Sequence, residues 1–113
     1  MNRFAALGLA IDAHRGRSIV VVTHGHEHAA LDEILRAADG LEVSLVCRAN
    51  GRHRIDFASG GSIELRYQGL EMRGMDVQTV YLDEGVAWGW PDTLIDDVRE
   101  MVRAHADGEV IRT

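Results

Sequence analysis

The run Ser18–Thr23, SIVVVT, is apolar and β-branched almost throughout, with no polar residue alternating along it. A strand with one wet face alternates apolar and polar residues, whereas a strand apolar throughout must be covered on both faces. Helices on both sides of a mainly parallel sheet satisfy that demand, and the flanking sequence supplies them. Phe4 to His14 carries an apolar face of Phe4, Leu7, Leu9, Ala10 and Ile11. Glu27 to Ala38 places Leu31, Ile34, Leu35 and Ala38 on one side, with Asp39-Gly40 as the stop. Asp92 to His105 repeats Leu94, Ile95, Val98, Met101 and Val102 at helical spacing, after Pro91. Further strands are expected at Val43–Arg48, Arg54–Phe57, Ile63–Tyr67, Val77–Leu82 and Glu109–Arg112, the first two joined as a hairpin through Asn50-Gly51. The expected fold is α/β: one domain over residues 1–113, a mainly parallel sheet with helices on both faces and a β-hairpin insertion.

Composition narrows the function classes. Hydrophobic residues make up 46% and charged residues 27%, as in an ordinary soluble globule, and no apolar run reaches the roughly 20 residues of a membrane span. Asp12 and His14 interrupt the only N-terminal stretch that could serve as a signal peptide. One cysteine, Cys47, permits no intramolecular disulfide; a cytoplasmic protein with Cys47 buried in its strand is expected. A net charge of −6 argues against nucleic acid as a partner, because such binding draws its affinity from neutralised phosphates. All twelve basic residues are arginine; lysine is absent.

The candidate chemistry gathers at strand ends. Val77–Leu82 leads straight into Asp83-Glu84, two carboxylates at the carboxyl end of a buried strand. His24 and His26 follow the SIVVVT strand. Ligands in parallel sheets sit at such ends. If the two strands are neighbours, His24, His26, Asp83 and Glu84 form a mixed nitrogen and oxygen set suited to Zn²⁺ or Mn²⁺. Thr23 to His28 is also similar to the Thr-His-x-His-x-Asp-His signature of the metallo-β-lactamase family, with the spacing one residue short. Trp88 and Trp90, in Ala87-Trp88-Gly89-Trp90, read either as contact-surface anchors or as staples for the next helix. Met72, Arg73 and Met75 add adaptable surface to a possible partner site.

The order of parts carries a resemblance. A strand and helix, then GSIELRYQG, then RGMD, then VYLDE, resembles the ATPase core of the phage terminase large subunit family, a P-loop NTPase-like fold. The resemblance implies that Asp83 helps hold Mg²⁺, that Glu84 orients the attacking water, and that EVIRT matches the strand coupling hydrolysis to movement. That family also uses a Gly-rich Gly-Lys-Ser/Thr loop to cradle the phosphates, which these residues do not contain. The strand that precedes such a loop has no counterpart either, so a truncated sheet short of a central member is expected. The expected function is that of a non-catalytic, phage-encoded pseudo-ATPase acting through protein–protein contact, with a host factor or a phage nucleoprotein machine, or through self-association. The alternative is a metal- or nucleotide-dependent hydrolase using Asp83 and Glu84, with its phosphate site lent by a partner.

Overall fold

The computed structural model describes residues 1–25, 27–48, 52–67 and 77–112. Among the described residues, three helices, α1 (Arg3–His14), α2 (Glu27–Ala37) and α3 (Asp92–Val102), accompany six strands. The strands are β1 (Ser18–Thr23), β2 (Val43–Cys47), β3 (His53–Phe57), β4 (Ser62–Tyr67), β5 (Thr79–Leu82) and β6 (Glu109–Arg112). They form one sheet in the order β2-β3-β4-β1-β5-β6. The pairs β1–β4, β1–β5 and β5–β6 are parallel, whereas β2–β3 and β3–β4 are antiparallel. The expected class is therefore the observed one, hairpin insertion included, although the Asn50-Gly51 turn lies outside the described residues.

SIVVVT holds the middle of the sheet, and its side chains divide between two cores. Ile19 and Val21 join Ile55, Phe57, Ile63 and Leu65 beneath α1 and α2. Val20 and Val22 join Val80 and Leu82 beneath Ile95, Val98, Met101 and Val102 of α3. Each strand bonds to its neighbour without a gap, and β2 and β6 are the two edges.

Four local readings change. Helix α1 buries Ala6, Leu9, Ala10 and Ala13, and leaves Phe4 and Leu7 exposed. A line of alanines lets α1 approach α2 and β4 more closely than a face of larger side chains could. Cys47 is only half-buried, because β2 is an edge strand with Leu45 and Val46 open to solvent. Helix α3 stops at Val102, three residues short of the expected end. The chain there turns back toward β6, and Gly108 packs so tightly on Val102 that a Cβ would fall 2.3 Å from the Val102 carbonyl oxygen. The β5 ladder starts at Thr79, since the Val77 amide donates to the Met101 carbonyl and the Gln78 amide to Ser18.

Arg17 locks the opposite end of the sheet from the carboxylate pair. Its guanidinium donates to the buried Thr79 hydroxyl at 2.9 and 3.0 Å, to the Gln78 carbonyl at 3.1 Å, and to the Asp107 carbonyl and carboxylate, each at 2.8 Å. One side chain thus ties the α1–β1 turn to the start of β5 and to the α3–β6 turn.

Candidate functional site

Parallel pairing of β1 with β5, with Val22 opposite Leu82, brings the ends of the two strands side by side. The Asp83 amide extends this ladder by donating to the Val22 carbonyl at 3.1 Å. Beyond it the chain turns sharply. The Val86 amide donates to the Asp83 carbonyl at 3.0 Å, and Gly85 adopts a φ of +77°, in the left-handed region that glycine tolerates. A Cβ on Gly85 would lie 3.6 Å from His24 Nε2 and 3.9 Å from the Trp88 ring. The condition set for the histidine and carboxylate readings, adjacency of the two strands, is thus fulfilled for His24. His26 lies outside the described residues, as do Met72, Arg73 and Met75.

The two carboxylates sit differently. Asp83 is 17% exposed; its Oδ1 accepts from the Glu84 amide at 3.0 Å, and its Oδ2 lies 3.5 Å from the Met1 α-amino group. Glu84 is exposed. A recess of about 320 Å³ is lined by Met1, Asn2, Tyr81, Asp83 and Glu84. A second, of about 520 Å³, opens beside it among Met1, Ala29, Ala30, Asp32, Glu33, Arg36 and Asp83. The Met1–Asp83 pair stands in the lining of both. Helix α1 begins at this corner, with Asn2 Oδ1 accepting from the Ala5 amide at 2.8 Å. The participation of Met1 and Asn2 has no motif in the sequence beyond the capping asparagine itself.

Asp83 Oδ1 accepts the Glu84 amide and keeps further lone pairs, and Glu84 is exposed, so both carboxylates retain acceptor capacity. Among the described residues, no group of three or more His, Cys, Asp or Glu side chains is placed to share a metal. The cationic groups lining the two recesses are the Met1 amine and Arg36, and Arg36 is paired with Glu33.

The two tryptophans sit differently. Trp90 packs against the core beneath α3, whereas Trp88 is 78% exposed on the turn that follows the carboxylates. No helix among the described residues is long and apolar enough to cross a membrane.

A six-stranded, mostly parallel sheet between helical layers, with carboxylates at the end of an inner strand, defines an α/β fold. Solved structures similar to it include the large terminase of a thermophilic bacteriophage in two crystal forms. One matches with a TM-score of 0.61 and 16% identity over 97% of this chain; the other has a TM-score of 0.59 and 15% identity over the same share. The chain spans 29% and 28% of the length of those terminase chains. At this identity the likeness is one of fold. No family model matches the chain, and no curated protein matches it.

Proposed function

We propose that this chain is a terminase-like fold that has kept the carboxylate corner, does not hydrolyse nucleotide on its own, and works by binding another protein. The observation that carries the reading is Trp88, a large aromatic side chain held mostly in water shortly after Asp83-Glu84. Exposed aromatic anchors of this kind dominate the energetics of protein interfaces. The partner is a host factor or a component of a phage nucleoprotein machine, and the protein is phage-encoded and cytoplasmic.

Thermal unfolding with saturating ATP and Mg²⁺ tests the reading, since any ligand of the native state raises Tm by mass action. No shift is expected. A concentration-dependent rise that is lost in Asp83→Asn/Glu84→Gln would instead favour a hydrolase with a partner-supplied phosphate site. The open recess beside those two carboxylates is the one feature that favours this second reading.

A further inference from the structure

A pair of histidines well separated in sequence meets where α2 packs on β3. His53 opens β3 and faces inward with Ile55 and Phe57; it is only 7% exposed. His28 stands on the first turn of α2, exposed to solvent. The two Nε2 atoms lie 3.3 Å apart, and the rings meet at 90° with their centroids separated by 4.4 Å. The Nδ1 of His53 is buried and has no hydrogen-bond partner.

A buried imidazole in that position is costly to the fold. An unpartnered polar atom in a core costs about 1–3 kcal/mol, and a neutral hydrogen bond returns only about 0.5–1.5 kcal/mol. An aliphatic side chain would continue the apolar row of Ile55 and Phe57 at no such cost. A metal ion takes the lone pairs of both Nε2 atoms, whereas in a hydrogen bond one ring must donate to the other; the His53 proton then sits on Nδ1, so the cost at that atom is offset by the metal bond and not relieved by it. Two imidazole nitrogens bound to one tetrahedral Zn²⁺ at roughly 2.0–2.1 Å stand about 3.3 Å apart, the separation seen here. His53 is fixed by the core, and the exposed His28 ring is free to turn its lone pair onto a shared ion. The apolar floor beneath His53 strengthens the bond by lowering the local dielectric.

We propose that His28 and His53 form a two-imidazole site for a borderline divalent transition metal of the Zn²⁺ class, which pins the start of α2 to β3. Water completes the coordination. Asp32 lies one turn beyond His28 on α2 but is held by Arg48, so it takes no part while that ion pair stands. The site is separate from the Asp83 corner and independent of the function proposed above.

The test is thermal unfolding of the chelator-treated protein titrated with ZnCl₂ and, separately, with MgCl₂. Zinc in ~100-fold excess over its Kd should raise Tm by roughly 10 °C, and magnesium should not. His28→Ala removes a ligand from an exposed position without disturbing the core, and should abolish the zinc shift. His24→Ala should retain it. Histidine ring resonances read by NMR give a second measure: zinc should move the signals of His28 and His53 and leave those of His14 and His105 in place. No zinc shift in the parent protein, or one that survives His28→Ala, overturns the proposal.

Discussion

Replacing Gly61 by alanine is expected to be the most damaging single-methyl change in the chain. Gly61 sits in the β3–β4 turn where the C-terminal end of α1 rests on it. A Cβ there would lie 1.8 Å from the Ala13 carbonyl oxygen, 2.8 Å from its carbonyl carbon and 3.0 Å from the Arg17 carbonyl oxygen. These are backbone atoms and cannot swing aside, so relief requires α1 and the turn to part by more than an ångström. That movement breaks the Ser59 hydroxyl bond to the Ala13 carbonyl (3.0 Å) and the Ser62 amide bond to the Arg17 carbonyl (3.0 Å). Overpacking costs about 1–3 kcal/mol and each lost hydrogen bond about 0.5–1.5 kcal/mol, giving a total near 3–5 kcal/mol. For a domain of this size that lowers Tm by roughly 10–20 °C. Two other glycines separate the contact from other causes. Gly60 has a φ of +93° and open space around it, so Gly60→Ala should cost only the left-handed penalty of about 1–2 kcal/mol. Gly8 lies within α1 with nothing within 4 Å of a new Cβ, so Gly8→Ala should stabilise by about 0.5–1 kcal/mol. Circular-dichroism melts of the three variants provide the comparison. A Gly61→Ala protein melting within about 4 °C of the parent, or no more damaged than Gly60→Ala, would show that the close approach of α1 to the turn is misjudged.

Arg17→Ala should lose about 2–3 kcal/mol in urea unfolding, because its bonds to Thr79, Gln78 and Asp107 join three segments. Arg17→Lys should recover less than half, since an ammonium cannot reach those partners as a fork. Trp88→Ala should change stability by less than about 0.5 kcal/mol and remove the solvent-exposed component of the fluorescence, whereas Trp90→Ala should cost about 1–2 kcal/mol. The hydrogen bond and charge of Arg48 hold the Asp32 carboxyl below its ordinary pKa. A depressed folded pKa contributes stability above the unfolded value of 3.8 and loses it as pH falls through the folded value. Asp32→Asn should therefore remove a small part of the acid sensitivity below about pH 4, seen by comparing urea midpoints at pH 7 and pH 3.

The parallel sheet was legible because one signal was nearly free of ambiguity. An uninterrupted β-branched strand such as Ser18–Thr23 has no way to satisfy both faces except between two helical layers, and the rest of the α/β order follows from strand and helix alternation. Helix α1 departs in part from its periodicity for a physical reason. Periodicity weighs large apolar residues and so counts Phe4 and Leu7 with Leu9 and Ala10; close packing against α2 and β4 keeps Leu9 and Ala10 and adds Ala6 and Ala13 in place of Phe4 and Leu7. The half-exposure of Cys47 was hidden because a strand's place in the sheet, edge or centre, is set by its pairing partners and not by its own residues.

The carboxylate corner shows the same division between what is local and what is not. Asp83 and Glu84 could be placed at a strand end from sequence because the strand and its terminus are contiguous. The neighbours that decide their chemistry could not. The Met1 amine meets Asp83 from far away in the sequence, and His24 meets Gly85 only because β1 and β5 pair in parallel. The same logic applies to His28 and His53, which lie 25 residues apart and share no spacing motif. Loss of one exposed imidazole, His28, should thus abolish a zinc response while leaving the Asp83 corner intact. Loss of Asp83 and Glu84 should leave the zinc response in place, and a metal response that needs both sets of residues would mean that the histidine pair and the carboxylate corner form a single centre.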